Sequence, residues 1–338
     1  MKQSITRLLQ KILTKQNASI NDHILALQKT LSNQKYGKKN KNILNELRQI
    51  FEARTNQRKR YYIQRLIRGL TEVKSGKLND FNLNRWKDYA DILTDSLWLV
   101  EKRDRSGNHS AGYWGNFVPQ IPNQLIRRYT KSNEWVLDPF LGSGTTLLEC
   151  RQLGRNGLGI EIQNSIAQKT RNALYNVGAD INSPAHCIVI TGDSTRLNFV
   201  QQLKNLGIPS VHLAILHPPY WDIIRFSKRK GDLSNAKSLP AFLESFGNVV
   251  KNCASVLDNK RFLAVVIGDK YSAREWIPLG FLSMQEVLKH GFKLKSIIVK
   301  NFNQTKAKRN QEELWRYRAL VGGFYVFKHE YIFLFQKK

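Results

Sequence analysis

The stretch Trp135-Val136-Leu137-Asp138-Pro139-Phe140-Leu141-Gly142-Ser143-Gly144-Thr145-Thr146 organises the chain. A short apolar run ends on a carboxylate, breaks into a glycine turn and reopens as a helix. Trp135, Val136 and Leu137 suit a buried parallel strand, Pro139 cannot continue a ladder, and Gly142 and Gly144 let backbone approach a ligand closely. A glycine turn between strand and helix is where open α/β sheets bind cofactors. Two familiar versions fit poorly. A phosphate-binding loop needs a longer gap between its glycines and then Lys-Ser/Thr, whereas Ser143 alone separates these two and no lysine follows. A dinucleotide fingerprint needs a third small residue where this chain has Leu147.

Working downstream, strand and helix alternate. Residues 157–161, 187–191 and 212–216 read as strands that end at or just before Glu161, Asp193 and His217. With Asp138 these residues recur at intervals of one βα unit, which predicts that all four emerge at the carboxyl edge of one parallel sheet. The expected class is therefore α/β and Rossmann-like. A carboxylate one unit beyond a glycine loop suits ribose hydroxyls, so Glu161 is assigned there, and Asp193 is expected at an adenine amino group. The bland alternative for each is a helix cap or a loop carboxylate. Further units follow, a helix over 239–257, a strand over 262–267 and another over 296–299; residues 324–327 and 331–335 read as a closing antiparallel pair.

Asp138-Pro139-Phe140-x-Gly142-x-Gly144-Thr145-Thr146, followed in order by His217-Pro218-Pro219-Tyr220, resembles two motifs of the DNA amino-methyltransferases. These are the S-adenosylmethionine (SAM) loop and the Asp/Asn/Ser-Pro-Pro-Tyr motif of enzymes that act on adenine N6 or cytosine N4. The resemblance covers residues 112–336 and implies a SAM-dependent methyltransferase sheet. It places Asn116, Phe117, Asp138, Phe140, Gly142, Gly144, Thr145, Glu161 and Asp193 at the cofactor, and makes His217, Pro218, Pro219 and Tyr220 catalytic. The physical sense is that a cationic, zwitterionic ligand without phosphate calls for a carboxylate and bare backbone. Hydrogen bonds from the amine protons to a side chain and a backbone carbonyl favour a pyramidal, nucleophilic nitrogen. Pro219 lets Pro218 present its carbonyl in a rigid turn, and Tyr220 would stack on a base taken out of the duplex. No metal is required. His217 departs from the family pattern: a neutral imidazole accepts a hydrogen bond and a protonated one cannot, so activity is expected to fall below a histidine pKa. The departure also leaves both target bases open. A terminal strand carrying His-Glu, here His329-Glu330, recurs in these methyltransferases.

Composition points the same way. Among 338 residues, 54 Lys+Arg against 26 Asp+Glu give a net charge of +28, too large for an ordinary metabolic enzyme and suited to a polyanion. Neither a spanning helix nor a signal peptide is expected, although Ile5, Leu8, Leu9, Ile12 and Leu13 imitate an amphipathic presequence. Cys150, Cys187 and Cys253 are scattered without metal-ligand spacing and read as buried thiols of a cytoplasmic protein.

Upstream, residues 1–105 read as a basic helical region for DNA recognition or clamping, and 106–338 as the catalytic domain, divided within the polar stretch 101–110. Helices are expected over 5–13 and 20–31, a solvated break with four lysines over 33–42, and a third helix running from Ile43 through Arg58, Lys59, Arg60, Tyr61 and Tyr62 to Leu70. That cation–aromatic run is either a phosphate-binding face or simply solvated. A further helix is expected to bury Trp86, Tyr89, Ile92, Leu93 and Leu97. Nucleic-acid contacts are assigned to Trp221, Arg225, Lys228, Arg229 and Lys230 beside the pocket, and to Lys306, Lys308, Arg309 and Arg316 in a basic loop over 301–318. DNA is the expected partner, with a restriction or host-defence system around it. The competing readings are an RNA amino-methyltransferase and a non-catalytic nucleic-acid-binding protein on the same scaffold.

Overall fold

The structure is a computed structural model and describes residues 2–14, 20–32, 37–104, 115–176, 185–302 and 312–338. It divides into two compact units, Met1–Ile92 and Leu93–Lys338.

The first unit holds helices α1 (Lys2–Leu13), α2 (Ile20–Ser32), α3 (Gly37–Glu52) and α4 (Asn56–Thr71). Apolar residues at helical spacing, among them Ile5, Leu9, Ile24, Leu47 and Ile63, share one core. Four expectations are corrected. Helix α3 begins at Gly37, inside the supposed solvated break, whose residues 33–36 lie outside the described set. It also stops at Glu52 rather than running on, because Thr55 caps a separate helix by accepting from the Arg58 amide. Within α4 the cation–aromatic run is partly internal: Tyr62 lies between the Arg58 and Arg65 guanidiniums, 5.9 and 4.9 Å from its ring centre. The helix expected through Trp86 and Leu97 does not form. Asn82 accepts from the Lys74 and Asn84 amides, a local alternative to helix, and only a 3₁₀ turn follows over Leu83–Tyr89. Its buried residue is Arg85, paired with Glu46 at 2.6 Å and Asp88 at 2.9 Å, while Trp86 is 65% exposed.

The second unit opens with β1 (Leu97–Trp98), so the division falls before the polar stretch at 101–110 and the buried Trp98 belongs to the sheet. There follow α5 (Gln120–Tyr129), β2 (Trp135–Asp138), α6 (Thr145–Gln152), β3 (Asn156–Glu161), α7 (Asn164–Asn176), β4 (Cys187–Thr191), α8 (Phe199–Asn205) and β5 (Val211–Leu216). The chain continues through α9 (Leu239–Val256), β6 (Leu257–Ile267), the small hairpin β7 (Lys270–Ser272) and β8 (Glu275–Ile277), α10 (Leu279–Leu288), β9 (Phe292–Asn301), α11 (Glu312–Gly322) and β10 (His329–Lys337). The main sheet has the order β1-β9-β10-β6-β5-β2-β3-β4. Every pairing is parallel except the two made by β10, which runs opposite between β6 and β9. This is a Rossmann-like α/β fold. Residues 324–327 form no strand; the closing partner of β10 is β9, which leaves Tyr331 to Phe335 buried on both faces. No described helix is long and apolar enough to cross a membrane.

Candidate active site

Strand β2 delivers Asp138 to the carboxyl edge with its side chain buried. One carboxylate oxygen accepts from the Phe140 amide at 3.0 Å and the other from the Thr146 hydroxyl at 2.5 Å. Asp138 thereby ties the two ends of the glycine loop together. Burial pushes its pKa up to about 6, against the opposing effect of those two hydrogen bonds. Glu161, at the end of β3, accepts from the Gly142 amide at 2.9 Å and the Gln163 amide at 2.8 Å; burial raises its pKa too. Gly144 has φ +82° and caps α6, and a Cβ there would lie 2.4 Å from the Thr170 methyl, so the tight turn admits no side chain.

A cavity of about 660 Å³ opens at this edge. Of the expected cofactor residues, Asn116, Phe117, Phe140, Gly142, Thr145 and Glu161 line it. Asp138 and Gly144 do not: both build the loop behind the wall. Asp193 is also turned away, since one oxygen accepts from the Thr195 amide and hydroxyl at 2.9 and 2.7 Å and the other is pressed against Gly231, where a Cβ would come within 1.9 Å. Its neighbours Gly192, Ser194 and Thr195 line the cavity instead. The three cysteines carry free thiols whose pKa values burial raises.

All four residues of the His217-Pro218-Pro219-Tyr220 turn line the same cavity. His217 Nε2 is 3.3 Å from the Tyr220 hydroxyl, which donates to Glu330 at 2.8 Å; the other Glu330 oxygen faces the Lys300 ammonium at 3.0 Å. The Phe117 ring meets the imidazole edge-on at 4.8 Å. Tyr220 packs so close to the end of β6 that a Cβ on Gly268 would reach 2.9 Å from its ring and force the ring to shift. Burial lowers the His217 pKa to about 4, overriding the attraction of Glu330, and raises that of Tyr220.

Sequence reasoning assigned no role to Glu330 or Lys300. They meet because β10 is antiparallel, so its first residues reach the edge where β9 ends, with Glu330 directly opposite Lys300. The His-Glu pair was the available signal; strand order supplies the rest. Arg103 was missed as well. It lines the cavity and donates to the Phe117 carbonyl at 3.0 Å, while its Nε and Nη2 have no hydrogen-bond partner among the described residues.

Arg225, Lys228, Arg229 and Lys230 are exposed on a loop braced by buried Asp232, which accepts from the Ser227 hydroxyl at 2.7 Å and the Ser234 amide at 2.9 Å. Gly231, Asp232 and Phe226 of this loop reach the cavity wall. Trp221 does not: its indole N–H donates to the Ala236 carbonyl at 2.9 Å and the Lys270 ammonium sits 4.0 Å from the ring centre, so the side chain braces the protein. Lys306, Lys308 and Arg309 lie outside the described residues. The stretch around them ends in helix α11, where exposed Arg316 lines a second groove of about 520 Å³ that shares Phe302 and Phe327 with the first.

Fold and edge together describe a methyltransferase-like α/β protein. The chain matches the family model described as DNA methylase over residues 2–172 and 211–338, and it belongs to that family. The match takes in the helical unit, for which no resemblance was found in sequence, and skips β4 with Asp193. The Type II methyltransferase M.MjaII of Methanocaldococcus jannaschii is 24% identical over 52% of this chain and 26% of its own length. The Type II methyltransferase M.MjaI of the same organism is 39% identical over 28% of this chain and 33% of its own. The chain thus spans about a quarter to a third of these relatives. The crystal structure of TrmN from Thermus thermophilus aligns at TM-score 0.42 and 16% identity, covering 67% of this chain and 50% of that one.

Proposed function

We propose that this chain is a SAM-dependent DNA methyltransferase that modifies an exocyclic amine, adenine N6 or cytosine N4, on a base turned out of the duplex. The observation that carries the reading is one cavity joining the glycine loop and Glu161 to the His217-Pro218-Pro219-Tyr220 turn. A buried carboxylate beside bare glycine backbone, on a loop without lysine, fits an adenosine ligand whose charge is positive rather than phosphate-borne. Asn116, Phe117, Phe140, Gly142, Thr145 and Glu161 would hold it, with Glu161 at the ribose. When bound, SAM would supply a methyl group on a sulfonium: the amine nitrogen would form the new C–N bond as the C–S bond breaks to leave a neutral thioether, with one amine proton released to water. His217 accepts a hydrogen bond from the amine, the Pro218 carbonyl accepts another, and the Tyr220 ring offers a stacking face. Because the imidazole stays neutral down to about pH 4, its accepting form persists through the neutral range, and the acid fall in activity moves below an ordinary histidine pKa. The exposed cations at 225–230 grip flanking phosphates, and the N-terminal helices clamp the duplex. The relatives' description as Type II methyltransferases supports a place beside a restriction or host-defence partner.

Labelled SAM incubated with the protein and either DNA or RNA, followed by digestion to nucleosides, tests the reading. Label in N6-methyladenine or N4-methylcytosine from DNA is expected. Label only in RNA, or none while SAM still binds, overturns it.

A further inference from the structure

We propose that Glu330 is a positioning residue: acting through the Tyr220 hydroxyl, it places the His217 proton on Nε2 and so leaves Nδ1 as the acceptor for the target amine. The consequence for catalysis rests on the methyl-transfer reading; the tautomer itself does not.

The inference follows from counting protons along two contacts. A carboxylate has only lone pairs to offer, so across the 2.8 Å contact with Glu330 the Tyr220 hydroxyl must be the donor. Tyr220 has no second proton, and towards His217 Nε2, at 3.3 Å, its oxygen can only accept. A neutral imidazole carries one N–H, which the Tyr220 oxygen therefore draws to Nε2. Nδ1 is left with a lone pair and has no hydrogen-bond partner among the described residues. The opposite tautomer would set two lone pairs against each other, or oblige Tyr220 to give up its charge-assisted bond to Glu330.

The surroundings hold this chain of contacts in place. Lys300 and Glu330 are only 5% and 10% exposed, and a buried carboxylate requires such a countercharge. Phe117 packs edge-on against the imidazole, and the glycine at 268 lets the Tyr220 ring lie against the end of β6. The network also accounts for the departure at position 217. An ionised Asp side chain accepts through either oxygen whatever its neighbours do, whereas a histidine accepts only if something fixes which nitrogen bears the proton.

The test is nitrogen NMR on the full chain labelled at its 7 histidines, with His217 assigned by its loss in His217→Gln. The wild type is expected to show protonated Nε2 and bare Nδ1. In Glu330→Gln the new amide can donate to the Tyr220 oxygen, which turns the phenolic proton towards His217 and moves the imidazole proton to Nδ1. Turnover should then fall by about 10²-fold, the scale of losing one aimed hydrogen bond in a closed site, with KM for DNA and SAM affinity retained. If Glu330→Gln does not fold, Tyr220→Phe keeps the Lys300–Glu330 pair and should give mixed tautomers. A wild-type imidazole protonated on Nδ1, or an Nε2–H form unchanged in the folded variants, overturns the proposal. A wild type with the expected tautomer that transfers no methyl group would defeat the methyl-transfer reading alone.

Discussion

The two ends of the cavity are built in contrasting ways. At the glycine-loop end, each acid bonds its own backbone, Asp138 to Phe140, Glu161 to Gly142 and Gln163, Asp193 to Thr195, and of the three only Glu161 also lines the cavity. These bonds create a shape. At the other end, side chains from the ends of β5 and β9 and the start of β10 form a chain of contacts that closes on Nδ1 of His217, an atom without a hydrogen-bond partner among the described residues. A carboxylate at a strand end is thus weak evidence for ligand contact, because buried strand ends need acceptors for their own amides. A polar atom left over in a satisfied network points to chemistry more strongly.

The sharpest way to break this contrast is to remove that atom. His217→Ala should lower turnover by about 10³-fold while leaving affinity for S-adenosylhomocysteine unchanged in calorimetry. An active variant would return the turn to mere structure. At the loop end the losses should appear in stability and binding together. Asp138→Ala strands the Phe140 amide and the Thr146 hydroxyl, which costs about 1–3 kcal/mol in thermal unfolding and weakens nucleoside binding through the disordered turn. Asp193→Ala, outside the cavity wall, should leave that affinity close to wild type. A loss of affinity in Asp193→Ala without any loss of thermal stability would show that Asp193 touches the ligand after all.

A subtler comparison uses pH. The His217 pKa is depressed from 6.5 to about 4 on folding, so its contribution to stability is present above pH 6.5 and is lost as pH falls towards 4. Asp138 is shifted the other way, from 3.8 to about 6, and its contribution fades as pH rises through that range. In wild type the two slopes oppose each other. The difference in unfolding free energy between wild type and His217→Gln cancels the Asp138 part, and the wild type should lose ground to the variant between pH 6.5 and 4. A flat difference would mean that the imidazole is hydrated rather than enclosed.

What could be read in the sequence divides along the same line. Strands β2 to β5 and their carboxyl-edge residues follow from hydrophobic runs and spacing, because parallel βα units repeat at short range. The direction of Asp138 and Asp193 could not be read, since it depends on which amides lie free beside each strand end. Glu330 needed the whole sheet order: β10 enters between β6 and β9, and only then do residues far apart in the chain face each other. Misreading Trp86 and Leu97 as one helix has a local cause, the Asn82 side chain, whose competing turn a periodicity argument does not weigh.

The smallest effect on chemistry is expected from the basic loop, and it would sharpen the contrast from outside. Lys228 and Lys230 are exposed, and the loop's shape is held by Asp232 rather than by its cations, so replacing both with Gln should leave the fold and the turnover at saturating DNA unchanged. Affinity should fall, and the slope of log K against log salt should shrink by about 0.9 for each phosphate contact removed. The slope is the informative quantity, because a net charge of +28 would attract DNA without regard to site, while only cations that displace counterions at bound phosphates change the slope. An unchanged slope would take the strand away from this loop and towards Arg316 and the groove beside α11.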